Sequence, residues 1–348
     1  MNPPVFTYVE NDEGESLVVW RPALYDYVHF RNQISVQPSK ADADAIFADR
    51  SLGESLIDRA QTIHEWYRER GWLQVQNETR LKLLRVEENS DNVYAEIELK
   101  RTVEHEMVHM LHTEQRTERE QVWLTCADGG HRWQVAGVRR LSEENLIAAS
   151  PPDPVIAEAA RAASQPYLNM EMLRSPSPSR AIPYNRRHVQ RYADEWWNRE
   201  NPQYLHFEVD CSNFVSQCIR AGGAPMSRTG RRDAGWWYVG KQGGRELWSY
   251  SWAVANSLYR YLSTSRSGMR AEIVGDPLEL TIGDVISYDW DGTGKFQHST
   301  IVAATAADGM PLVNAHTVES YHRYWDYRDS YAWTPQTQYR FFHIADEF

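Results

Sequence analysis

Two strings in this sequence carry residue types that break bonds. The first is Asp210-Cys211-Ser212-Asn213-Phe214-Val215-Ser216-Gln217-Cys218. Asp210 suits a helix N-cap, where a side-chain oxygen accepts backbone N–H bonds. Phe214, Val215, Cys218 and Ile219 then form the apolar stripe of a short helix, which Gly222-Gly223 ends. Cys211 falls at the first helical position, where the partial positive charge favours thiolate over thiol. Cys218 lies within the stripe and reads as core. Cys126, last in a predicted strand, reads as structural too.

A thiolate nucleophile needs a base, and the base needs an orienting partner. Gly283-Asp284-Val285-Ile286-Ser287-Tyr288 reads as a turn running into a strand. After a polar loop at 289–294, His298 opens the strand His298-Ser299-Thr300-Ile301-Val302-Ala303-Ala304. The loop faintly suggests a calcium site but lacks the third acidic position and the closing Glu. Beyond the Asp308-Gly309 turn comes Pro311-Leu312-Val313-Asn314-Ala315-His316-Thr317. Asn314 and His316 differ by two and share a strand face. Either is placed to bond the far ring nitrogen of His298. Helix-start Cys, strand-start His and a polar residue on the next strand is the order of papain-like cysteine hydrolases. Gln217, six residues after Cys211, falls on another face and reads as structural.

The second string is His105-Glu106-Met107-Val108-His109, the H-E-x-x-H pattern of zinc proteases. That chemistry requires a helix, on which both imidazoles face one metal and the Glu acts as base. Yet Ala95, Ile97, Leu99, Val103, Met107 and Leu111 are apolar at odd positions, and Glu96, Glu98, Lys100, Thr102, Glu104 and Glu106 are polar at even ones. Period two means a strand. There His105 and His109 stand roughly 13 Å apart, too far to share one zinc. A zinc protease, with Glu114, Glu118 or Glu120 as third ligand, is the alternative enzyme reading.

The elements around these strings suggest two domains. An apolar stripe from Ala45 through Ile46, Leu52, Leu56, Ile57, Ala60 and Ile63 to Trp66 predicts a helix over about 40–70, capped by Ser39 or Asp42 and stopped by Gly71. Strands follow at 81–87, 93–103 and 120–126, and Asp128-Gly129-Gly130 predicts a hairpin. The expectation is a small α+β domain at 1–147, ordered like a cystatin-like or nuclear-transport-factor-like cone. Residues 148–183 read as a Pro/Ser/Ala-rich linker with one short helix at 155–163. A second domain spans 184–348. Its aromatic stretches, Trp196-Trp197, Trp236-Trp237-Tyr238, Trp248–Trp252 and Tyr321–Tyr327, read mostly as core, with a substrate groove as the other use.

Composition narrows the function. The chain has 348 residues, 42% apolar and 24% charged, with Lys+Arg 37 against Asp+Glu 48 for a formal charge of −11. Residues 1–150 hold 17 basic and 26 acidic residues, and 151–348 hold 20 and 22. Neither half has the basic footprint of a nucleic-acid binder. No apolar run reaches membrane-spanning length. Three cysteines exclude a disulfide framework and fit a reducing compartment. No secretory signal is visible, so the expected location is the cytoplasm.

Residues 184–348 also resemble a bacterial family of amidase domains, near the NlpC-like and CHAP cell-wall cysteine peptidases. The matching pieces are Tyr184-Asn185-Arg186, Tyr192-Ala193-Asp194, Asn201-Pro202-Gln203-Tyr204, the D-C-S-N-F-V-S-Q string at 210–217, Ala221-Gly222-Gly223, Trp252, G-D-V-I at 283–286, His298-Ser299 and Ala315-His316-Thr317. The resemblance implies Cys211 as nucleophile and His298 as base. It implies His316 as third member, or Asn314 if the peptidase branch is followed. It covers about half the chain and leaves 1–150 unassigned.

The expectation is therefore an α+β protein: a papain-like cysteine amidase or peptidase domain behind a smaller α+β domain. Catalysis falls to Cys211, His298 and His316 or Asn314, with no cofactor and no metal. The partner is an amide or peptide substrate, and neighbouring families point to cell-wall peptides. Nucleic acid and membrane are not expected as partners. The non-enzyme alternative is an inactive amidase-like binding module.

Overall fold

The computed structural model describes residues 5–8, 19–38, 43–126, 132–141, 181–242 and 245–348. The chain divides into two compact units, Met1–Ser142 and Glu143–Phe348. Most of the expected linker, its helix at 155–163, the Asp128-Gly129-Gly130 turn and the caps Ser39 and Asp42 lie outside the described residues.

The first unit contains β1 (Val5–Tyr8), α1 (Arg21–Val36), α2 (Arg50–Glu69), β2 (Leu73–Glu88), β3 (Asn92–Met107), β4 (Met110–Cys126) and β5 (Trp133–Leu141). The strands lie in sequence order, with β1 parallel to β2 and the rest antiparallel. The expected helix over 40–70 begins later, at Arg50, because Asp49 is its cap and accepts the Ser51 N–H at 2.9 Å. Ala45 and Ile46 precede it. Gly71 stops it at φ +73. The sequence reading missed α1. That helix buries Arg31 and Asn32 beside Leu24, Tyr27, Val28, Phe30 and Ile34, so its stripe is not purely apolar. Arg31 pairs with Glu118 at 2.9 Å and with Glu120, and Tyr27 donates to Glu120 at 2.7 Å. Burial alone would raise the Glu118 pKa, yet Arg101, Arg31 and Arg116 hold that carboxyl far below the usual range. Some of the unit's acidic surplus is thus neutralised inside it.

The second unit contains α3 (Arg186–Trp196), α4 (Cys211–Ala221), the hairpin β6 (Tyr238–Gln242) and β7 (Arg245–Trp248), and the helices α5 (Tyr250–Ala253) and α6 (Ala255–Thr264). Six strands follow: β8 (Ala271–Val274), β9 (Val285–Asp289), β10 (His298–Thr305), β11 (Pro311–Ala315), β12 (Ser320–Tyr324) and β13 (Gln338–Ile344). They form an antiparallel sheet in the order β12-β11-β10-β9-β13-β8. Both faces are covered. Val285, Ile301 and Phe342 pack with Phe214, Val215 and Cys218 of α4 and Val189 and Ala193 of α3. Ile286, Tyr288, Val302, Val313 and Phe341 pack on the other face with Trp290 and Tyr327. Trp236 and Trp252 are fully buried, which assigns those aromatic stretches to the core.

Several of the matching motif pieces prove to be structural. Asp284 of the G-D-V-I string is fully buried. Its carboxylate accepts Arg186 Nη1 at 2.7 Å, the Ile344 N–H at 3.0 Å and the Thr281 N–H at 2.8 Å, and meets His343 Nδ1 at 2.8 Å. Tyr184 Oη donates to the Gly283 carbonyl at 2.8 Å. A Cβ on Gly222 would stand 2.5 Å from both Tyr184 and Val189, so only glycine lets α3 and α4 meet there. Removing one partner of a buried ionic network leaves the others desolvated. Asp284→Ala is therefore expected to destabilise this unit by about 3–5 kcal/mol, measured by urea denaturation of the full chain. A loss under about 1 kcal/mol, the value of an exposed pair, would refute this role.

Candidate active site

Cys211 is the first residue of α4 and is buried, 2% exposed. Asp210 holds the N-cap position, as expected, but its carboxylate accepts none of the helix's own N–H groups. Asp210 Oδ1 instead accepts the Phe207 N–H at 3.1 Å and Asn213 Nδ2 at 2.8 Å. Asp210 Oδ2 lies 2.7 Å from His316 Nδ1. The Asp210 N–H donates to Thr317 Oγ1 at 3.1 Å, and the Asp210 carbonyl accepts the Phe214 N–H at 2.9 Å. The backbone just before Cys211 is thus pinned at each polar atom. The first N–H groups of α4 keep the anion-favouring potential of a helix N-terminus.

His316 lies one residue past β11 and stacks on Phe214 with ring centroids 4.1 Å apart. Its Nε2 is 2.7 Å from the Trp196 carbonyl. Both ring nitrogens therefore lie within hydrogen-bond distance of an oxygen. Asn314 donates Nδ2 to Asp194 Oδ1 at 3.0 Å and accepts the His322 N–H at 2.8 Å.

These bonds correct one expectation. Neither Asn314 nor His316 orients His298. In the register, Asn314 lies opposite Ile301 on the α4 face, whereas His298 lies opposite Tyr288 on the other. His298 is 1% exposed, within ring-contact range of Tyr288 at 5.4 Å, Tyr327 at 5.5 Å and Trp290 at 5.8 Å. Burial, reinforced by the charge of Arg323, lowers its pKa to about 3, so at neutral pH it is a neutral imidazole. The loop before it is laced internally, with Asp289 accepting the Thr293 and Gly294 N–H groups and Gln297 Oε1 accepting the Trp290 N–H.

The structure does bring the start of α4 to the end of the sheet where β10 begins. Ser212 Oγ lies 3.4 Å from Ser299 Oγ, and Asp210 bonds Thr317 just beyond β11. Cys211 and His298 are each one residue from these contacts. Two cysteines read as structural remain so by environment. Cys218 is fully buried in the core, and burial pushes its thiol pKa well up. Cys126 is half-buried at the end of β4. Gln217 accepts Tyr192 Oη at 2.6 Å, and Asn213 Oδ1 accepts Trp252 Nε1 at 2.8 Å, so both amides brace the helix. Sequence reasoning missed Asp210 as the partner of His316, and it missed the Trp196 carbonyl. Neither a carboxylate reaching 106 residues along the chain nor a backbone oxygen leaves a local signal.

The H-E-x-x-H string forms no helix. His105 is the buried third-last residue of β3, while Val108 and His109 form the two-residue turn to β4 at φ +50 and +63. His105 packs on Tyr67 and Trp72, whereas the His109 side chain is 97% exposed. The zinc-protease alternative is set aside on this geometry. Among the described residues no group of three or more His, Cys, Asp or Glu is arranged to hold a metal ion.

Part of the chain is similar to known proteins. The uncharacterized protein YhbB of Bacillus subtilis (strain 168) is 51% identical over 168 residues, 48% of this chain and 52% of its own length. The chain thus spans about half the length of the curated relative it matches. A solved structure, the intermembrane space region of the chloroplast protein ARC6, aligns over 35% of this chain and 95% of its own at 15% identity, with a TM-score of 0.20 that carries no argument about the fold. Residues 183–342, which include Cys211, His298, Asn314 and His316, match the family model described as "Putative amidase domain".

Proposed function

We propose that residues 184–348 form a papain-like cysteine amidase or peptidase that hydrolyses amide bonds through a thioester. The observation that carries this reading is the setting of Cys211. It opens a helix whose N-terminal N–H groups are not capped by the Asp210 carboxylate, because His316 and Asn213 occupy that group. Such N–H groups favour a thiolate and, later, an oxyanion. The match of this region to an amidase family supports the same chemistry.

The mechanism follows from these groups. His298, neutral at pH 7, accepts the Cys211 thiol proton. The thiolate attacks the substrate carbonyl, and the Cys211 N–H stabilises the oxyanion. As the intermediate collapses, the C–N bond breaks and His298 gives its proton to the leaving amine. Water, deprotonated by His298, then cleaves the thioester and restores the thiol. The charge on His298 rises beside the thiolate, which offsets the repulsion from Arg323. Asp210 and His316 hold the nucleophile's helix rather than the base, and Asn314 bonds Asp194 of α3. The family neighbours suggest peptides of the cell wall as the substrate class.

Cys211→Ala in the full chain is expected to abolish hydrolysis of amide or peptide substrates, and the wild type to lose activity on stoichiometric alkylation of Cys211. Unchanged turnover in the Cys211→Ala variant would end the assignment. A second expectation concerns pH. The His298 pKa falls from 6.5 to about 3 on folding, so the unfolded chain binds more protons between those values. The stability contribution of neutral His298 is complete above about pH 6.5 and is lost as pH falls toward 3. Denaturation midpoints across this range should fall less steeply in His298→Gln than in the wild type. Parallel curves would place His298 in a more solvated setting.

A further inference from the structure

Thr317 holds a backbone conformation that its side chain disfavours. Its φ is +85, in the left-handed region where a β-branched residue is a steric outlier and glycine or asparagine is the ordinary occupant. Strain of this kind persists where the surroundings over-determine it, and it clusters at functional sites. Here the compensating contact is visible: Thr317 Oγ1 accepts the Asp210 N–H at 3.1 Å. Its neighbour His316 takes the Asp210 carboxylate at 2.7 Å. The pair His316-Thr317 therefore grips Asp210 by its carboxylate and by its backbone.

The residue so gripped has an unusual backbone for its position. Asp210 has φ −108 and ψ 1, whereas an N-cap residue ordinarily has extended backbone. The ψ of Asp210 orients the peptide plane between residues 210 and 211, and the N–H of that plane belongs to Cys211. We propose that Thr317 is a positioning residue that aims the Cys211 N–H by holding Asp210, so that the strain at Thr317 is retained for the geometry of the nucleophile. The proposal rests on the reading of Cys211 as the nucleophile. Thr317 acts through Asp210 and does not itself touch substrate. An N–H that is correctly aimed matters most as charge develops on the oxygen, so its misplacement should lower kcat more than it raises KM. The same peptide dipole helps to hold the thiolate, so thiol ionisation should respond as well.

Three full-length variants test this. Thr317→Val keeps the shape and loses the acceptor. Thr317→Gly loses both acceptor and strain. Thr317→Ser keeps the hydroxyl. Two measurements apply to each: the pH profile of Cys211 alkylation by iodoacetamide, followed by peptide mass mapping, and kcat and KM for amide hydrolysis. In the Val and Gly variants the alkylation midpoint should move upward and kcat should fall about 10- to 100-fold, the scale of a small misplacement, with KM within about twofold. Thr317→Ser should restore both. The Gly variant should melt no lower than the wild type, which separates positioning from support of the fold and remains informative if the Val variant does not fold. Alkylation profiles of the Val and Gly variants that superimpose on the wild type would overturn the proposal. Profiles that shift in a protein that hydrolyses no amide would uphold the positioning role and reject the hydrolase reading.

Discussion

The carboxylate of Asp210 is the constraint on which the candidate site depends. It is 3% exposed, and such a charge is tolerated inside only when it is fully bonded. Each of its oxygens is engaged, one by Phe207 and Asn213 and the other by His316. Because His316 also reaches the Trp196 carbonyl, one imidazole joins the end of α3, the start of α4 and the segment after β11. The same contact withdraws Asp210 from capping α4. A stabilising cap is given up, and the helix N-terminus beside Cys211 keeps its attraction for negative charge.

The two faces of the sheet in the second unit present different environments. The α4 face carries the helix core and the Asp210–His316 contact. The opposite face holds His298 among Tyr288, Trp290 and Tyr327, where low polarity keeps the imidazole neutral. At the sheet's end the Ser212–Ser299 and Asp210–Thr317 contacts tie the start of α4 to the strands. Farther along the sheet, Asp284 ties Arg186 of α3 to β13.

The first unit shows how local pattern and tertiary pairing share control. The period-two alternation over 95–107 was enough to reject a helix at the H-E-x-x-H string, because one face of β3 is core and the other is not. By contrast α1 was not legible. Its buried Arg31 and Asn32 look like a solvated face until Glu118, Glu120 and Thr79, distant in sequence, are brought to them. Periodicity reads hydrophobicity, and it cannot register a polar side chain buried by a remote partner.

The same division holds for the candidate site. The sequence alone determined that Cys211 opens a helix, that His298 opens a strand and that Asn314 shares a face with the residues two away, since caps, glycine stops and alternation are local properties. The family resemblance added Ala315-His316-Thr317 as one of its matching pieces. Only the tertiary structure decided which partners these groups take. It turned Asp210 from a helix cap into the partner of His316, gave Asn314 to Asp194 of α3, and set His298 among Tyr288, Trp290 and Tyr327. The physical reason is that a buried polar group must find its hydrogen-bond partners wherever packing brings them, and for Asp210 and His316 that partner lies 106 residues away.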